Sequence, residues 1–188
     1  MLRLWVVCGV LCCAFVLVYS GDMGPGKWHV IYITKCEEED HKFKFDVIQK
    51  KINRTHDGFN ADLILDEDFT DGFGIRVDIC KHVDGGCKPC QVLSDKCFID
   101  FINKYAKNNV KACLEIAGVD PPEFPIEKGE YHVTDYVFDY SELPGDGMYG
   151  AFCAKVFILK GDEEVSCLEI HVEFKEEEEC EDDDCDKK

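Results

Sequence analysis

The sequence is short of positive charge. Its 21 Lys and Arg stand against 39 Asp and Glu, a net charge of −18, which excludes a nucleic-acid binder held by phosphate contacts. It also lacks an apolar run that matches a membrane span of roughly 20 residues. The longest, Leu4 to Val18, is about fifteen residues, and no second one follows. A G-x-S-x-G element is absent. The histidines, His29, His41, His56, His82, His132 and His171, are scattered without an evident Ser, Asp or free Cys partner. No nucleophilic triad is legible, no cofactor is implied, and a non-enzyme is expected.

What is present at the N-terminus reads as an address. Arg3 supplies a positive n-region, Leu4 to Val18 an apolar core and Val18-Tyr19-Ser20 a small-residue cleavage site, which together describe a secretory signal over residues 1–20. The expected mature chain begins near Gly21 in an oxidising compartment, outside the cell or in the lysosomal or endosomal lumen. A chain of 188 residues fits one domain with a full core, here residues 21–175. From Glu173 to Lys188 there are ten acids and three bases. Such a block repels itself, so residues 176–188 are expected to form an acidic, disordered tail.

Cysteine usage agrees with that address. Of the 13 cysteines, Cys8, Cys12 and Cys13 leave with the signal. Cys36, Cys80, Cys87, Cys90, Cys97, Cys113, Cys153 and Cys167 lie in the body, and Cys180 and Cys185 in the tail. An even body count in a secreted chain predicts a disulfide framework, each bridge stabilising by ~2–4 kcal/mol. The sequon Asn53-Arg54-Thr55 fits a surface glycan.

Periodicity predicts mostly strand. Trp28 to Ile33 and Lys42 to Ile48 are short candidates, the second with Phe43, Phe45 and Val47 on one face. Phe59 to Leu65 and Phe73 to Ile79 alternate in the same way. Ile126 to Phe174 reads as an antiparallel meander of three strands: Tyr131 to Tyr140, Tyr149 to Lys160 and a last strand in which Leu168, Ile170, Val172 and Phe174 alternate with polar positions. Its turns are Leu143 to Gly147 and Gly161-Asp162. One helix is expected over Asp95 to Asn109, with Phe98, Phe101, Ile102 and Tyr105 at helical spacing, Ser94 or Asp95 as cap and Asn108-Asn109 as stop. The fold class is therefore all-β: an immunoglobulin-like sandwich or cup with one short helix, stapled by disulfides.

These residues carry a family resemblance. Pro125-Ile126-Glu127-Lys128-Gly129-Glu130-Tyr131, then Gly147-Met148-Tyr149, then Val165 to Ile170, resemble the closing half of the ML lipid-recognition family. Ala61 to Asp66, and Cys80 separated from Cys87 by six residues ending in Gly85-Gly86, resemble its ganglioside-activator branch rather than its sterol-carrier branch. The likeness spans roughly residues 28–175. Three departures stand out: a poor match between Cys90 and Cys113, no cysteine just before the Pro-Ile-x-x-Gly-x-Tyr turn, and the position of Cys153.

The resemblance implies a cup between two sheets that takes acyl chains while headgroups stay at the mouth. It pairs Cys36 with Cys167 and Cys80 with Cys87. Cys90, Cys97, Cys113 and Cys153 allow three pairings, of which Cys97 with Cys113 and Cys90 with Cys153 is preferred because it closes the helix locally. Candidates for the cup lining are Phe45, Leu63, Phe73, Ile75, Val77, Phe98, Phe101, Ile102, Phe138, Phe152, Val156, Ile158, Leu168, Ile170 and Val172, although for any single one of them ordinary core is the better reading. Met148 and Tyr149 are candidates for membrane contact or for plugging their own turn.

The implied function is a secreted lipid-binding and transfer protein, taking up a glycolipid or other amphiphile. Implied partners are that lipid, a transient membrane surface and a lipid-processing hydrolase, with the chain itself a monomer. The alternative is a secreted recognition module for microbial glycolipid or a protein partner, and third a small hydrolase. Two metal readings rank lower. Cys80, Cys87, Cys90 and Cys97 have spacing that suggests zinc, but behind a signal sequence disulfides account for it better. Asp66 to Gly72 resembles a calcium loop, with its Gly one place late and no closing Glu. Histidines titrating between pH 5 and 8 could couple lipid release to acidification.

Overall fold

The computed structural model describes residues 23–36, 41–51 and 57–177. The signal segment, the Asn53 sequon, Cys180, Cys185 and the tail beyond Glu177 lie outside the described residues. Among the described residues nine strands run in the order β1 (Met23–Lys35), β2 (Lys44–Lys51), β3 (Asp57–Leu65), β4 (Phe73–Val83), β5 (Gly86–Asp95), β6 (Gly129–Tyr136), β7 (Asp146–Met148), β8 (Gly150–Lys160) and β9 (Glu163–Glu176). Two helices, α1 (Phe98–Tyr105) and α2 (Lys107–Ile116), lie between β5 and β6. The strands form a six-stranded sheet, β5-β4-β8-β9-β1-β7, and a three-stranded sheet, β2-β3-β6. All pairings are antiparallel. The expected all-β sandwich is present, its sheets curled into a half-barrel.

Both sheets have one apolar face, as period-two alternation demands. Across the large sheet, register aligns Val77 with Val156, Val156 with Leu168, Ile170 with Ile33 and Val172 with Val30. Across the small sheet it aligns Phe45 with Leu63 and Leu63 with Tyr131. The two faces converge at one end on a buried cluster of Phe43, Leu65, Phe69, Phe73, Leu114, Ile126 and Val165. There Phe69 stacks on Phe73 at 4.6 Å between ring centroids. The β3–β4 loop is pinned into this end by reciprocal backbone hydrogen bonds between Phe69 and Ile126, 2.8 and 3.1 Å.

The Cys36–Cys167 disulfide ties the end of β1 to β9, and Cys80–Cys87 closes the β4–β5 hairpin. These are the two bridges that the family resemblance implies. The other two expected bridges are not formed, and Cys90, Cys97, Cys113 and Cys153 are thiols. Cys97 sits at the start of α1, whereas Cys113 lies in α2 close to Tyr136 of β6. Cys90 and Cys153 border one cleft from opposite sides of β4.

Three further expectations are corrected. The Ile126–Phe174 stretch is not one meander. β6 pairs with β3 in the small sheet, β7 pairs with β1, and only β8 and β9 form a hairpin. The left-handed Asp135, φ 56°, ends β6 ahead of the expected Tyr140. Instead of one helix there are two. Ala106, at φ −154°, breaks the first, and Asn108-Asn109 open the second rather than stopping the first. Finally, β5 occupies the cysteine-rich stretch where no strand was expected.

Candidate functional site

The large sheet presents an extended apolar face. From the closed end outward, Phe73, Ile75, Val77 and Leu168 are buried. Beyond them Ile79, Ala154, Val156, Ile170, Val172, Val30 and Ile33 are only half-buried. At the far end Phe152 and Phe174 are buried again, under Trp28 and Tyr149. A band of aliphatic side chains thus lies between two aromatic clusters with its own surface incompletely covered. Along one side the sheets meet where β1 and β9 approach β2. On the other, α1 leans on β4 and β5 while α2 leans on β6.

The predicted lining residues divide along this axis. Phe73 belongs to the buried cluster, and Leu63, Phe98 and Ile158 pack against it. Phe98 meets Phe69 edge-on at 4.9 Å, so its role is packing. Ile75, Val77, Phe152 and Leu168 are buried in the large sheet. Phe45, Phe101, Ile102, Phe138, Val156, Ile170 and Val172 are half-buried and outside that cluster. Of these, Val156, Ile170 and Val172 are neighbours in the band by register. Phe101 packs on Tyr105, and Phe138 on Tyr140.

The sequence missed the contribution of β1. A bulge between Val30 and Tyr32 shifts the register. Ile31 and Tyr32 are thereby both left exposed, while Ile33 returns to the inward face. The period-two pattern is interrupted there, which hides Trp28, Val30 and Ile33 as one row.

Met148 and Tyr149 separate. Met148 is 38% exposed and stands opposite Met23, which is 64% exposed. Tyr149 is half-buried. Its ring stacks on Phe174 and its hydroxyl donates to the Pro25 carbonyl at 2.9 Å, so it closes its own turn. Two surface clefts border the large sheet. One, about 710 Å³, is bordered by Tyr149, Gly150 and the segment Glu173 to Glu177. The other, about 550 Å³, lies over β4, β5 and β8.

The outer face of the large sheet carries polar chemistry. Cys153 and His171 face each other across β8 and β9, and Glu169 lies two residues before His171. His171 Nε2 and Glu169 Oε1 are 2.6 Å apart, and the Cys153 thiol donates to the same carboxylate. Burial and this carboxylate push the Cys153 thiol up to about 11. Burial likewise raises Cys113 to about 11. Both thiols are therefore protonated at neutral pH and poor nucleophiles. Neither the family models nor the curated proteins contain a match to this chain.

Proposed function

We propose that this chain is a lipid-binding and transfer protein of the ML type. It takes the acyl chains of a glycolipid or other amphiphile against the aliphatic band and leaves the headgroup at the mouth. One observation carries the reading: Val30, Ile33, Val156, Ile170 and Val172 form a row across three adjacent strands that the protein's own side chains cover only in part. Each methylene moved from water onto such a surface contributes ~0.8 kcal/mol, enough over a long acyl chain to compete with a bilayer.

The exposed Met23 and Met148 pair supports transient contact with a membrane surface. Among the described residues no helix is long and apolar enough to cross one. The Cys36–Cys167 and Cys80–Cys87 bridges fit a secreted or lumenal address. In this reading the chain is non-catalytic, works as a monomer and hands its cargo to a membrane or to a lipid-processing hydrolase. A fluorescent glycolipid in donor vesicles tests it directly. Added protein should speed the lipid's appearance in acceptor vesicles in proportion to protein concentration, and a rate equal to the protein-free control would refute the transfer role.

A further inference from the structure

A second site stands on the outer face, separate from the aliphatic band. The Cys153 thiol, one Glu169 carboxylate oxygen and a His171 ring nitrogen all lie within 4.8 Å of one another. They come from two adjacent strands locked in register, with Cys153 directly opposite His171. Cys153 is 6% and His171 8% exposed. The imidazole is held in orientation by Tyr32, stacked at 4.0 Å with the ring planes 21° apart, and His82 lies near it at 5.6 Å. Cys153 also borders the cleft over β4, β5 and β8, which opens to solvent.

From this geometry we infer that Cys153, Glu169 and His171 form a zinc site with three protein ligands and a fourth position open to water. Thiolate, carboxylate and neutral imidazole is a ligand set that suits zinc. Copper(I) would favour sulfur in place of the carboxylate, and calcium or magnesium would favour oxygen throughout. Two anionic ligands also balance the two positive charges of the ion. Tetrahedral zinc with bonds of about 2.0–2.3 Å places its ligand atoms roughly 3.5 Å apart, so the three atoms need only small side-chain rotations. The ion would occupy the Nε2 lone pair in place of the contact with Glu169, the neutral imidazole carrying its one proton on Nδ1, and the Cys153 proton would leave to solvent on binding. Lys155, whose Nζ lies 3.5 Å from the second Glu169 oxygen, stays beside the carboxylate and fixes its orientation.

The test uses the full secreted chain and zinc alone, with cobalt(II) as a spectroscopic substitute. After equilibration and dialysis, the wild type should retain one zinc per chain, and the cobalt form should show a thiolate-to-metal charge-transfer band. C153S should lose both the tightly held zinc and that band. E169Q and H171F, the second preserving an aromatic ring on Tyr32, should lose the tightly held zinc as well, with circular dichroism confirming that each is folded. These variants separate the site from the acidic tail and from Cys90, Cys97 and Cys113, which all of them keep. The inference is overturned if the wild type retains no zinc. Unchanged retention in C153S or H171F overturns it too, as does peptide mapping that finds Cys153 bridged to Cys90 in the secreted protein.

Discussion

Asn109 and Glu142 are joined through two separate donors. The Asn109 backbone N–H reaches Glu142 Oε2 at 2.9 Å, and its side-chain amide reaches the same oxygen at 2.6 Å. The Asn109 side-chain oxygen Oδ1 in turn accepts from the Tyr136 hydroxyl and the Asp139 N–H. One side chain, 2% exposed, thus ties α2 to the end of β6 and to the following turn.

Removing that side chain takes the Asn109 Oδ1 acceptor from the Tyr136 hydroxyl and the Asp139 N–H, and one of three N–H donors from the Glu142 carboxylate. Asn109→Ala should cost about 3 kcal/mol, the range for unsatisfied buried polar groups with one charge-assisted bond among those lost. Urea denaturation of the variant against wild type measures it, and a change under 1 kcal/mol would mean that the network is ornamental.

Glu142 also sets a pH dependence. Burial by itself would raise its carboxyl, but the N–H groups of Asn108 and Asn109 outweigh it and hold the group below the ordinary value of 4.5. A folded-state value below the unfolded one gives stability that is fully present above the unfolded value and is lost as pH falls through the folded one. Wild-type stability should therefore hold at the pH of about 5 found in acidic compartments and decline below about 4.5. Glu142→Gln should flatten this part of the decline; identical slopes in the two proteins would rule the contribution out.

The two disulfides should differ in value. Cys36–Cys167 spans 131 residues and Cys80–Cys87 only 7. The loop-entropy relation gives about 5 kcal/mol for the long loop and about 2.4 kcal/mol for the short one. Denaturant midpoints of C36S/C167S and C80S/C87S should rank in that order. The reverse ranking would show that hairpin geometry, rather than chain entropy, dominates.

Ile170 lies in the middle of the aliphatic band, opposite Ala154 on one side and Ile33 on the other. Since it is only half-buried, Ile170→Gln should lower stability by no more than about 1 kcal/mol. It should weaken uptake of a fluorescent fatty-acyl probe roughly tenfold, because the acyl chain would then meet an amide. Equal probe affinity in the two proteins would place the lipid elsewhere.

Much of the architecture was legible because strand alternation is local. Leu168, Ile170, Val172 and Phe174 announce β9 and its buried face without reference to any other element. What could not be read was which strand pairs with which. β6 follows its hairpin-like turn signals into a different sheet because Leu63 and Ala61 of β3 offer Tyr131 and Val133 apolar partners in register. The second helix was hidden for a similar reason. Asn108 and Asn109 are poor helix formers by intrinsic propensity, yet Asn109 is held there by Glu142, 33 residues away. The Cys153, Glu169 and His171 cluster draws on two strands, so spacing along the chain carried no sign of it. The aliphatic band was half-legible: its β8 and β9 rows were anticipated, and its β1 row was masked by the bulge after Val30.

The account rests on the aliphatic band being a lipid seat, and the most direct measurement is mass spectrometry of the purified protein. Native spectra should show a population heavier by the mass of one amphiphile. Solvent extraction should release that lipid, and incubation with vesicles should exchange it. A single lipid-free mass, unchanged after incubation with glycolipid vesicles, would contradict the carrier reading.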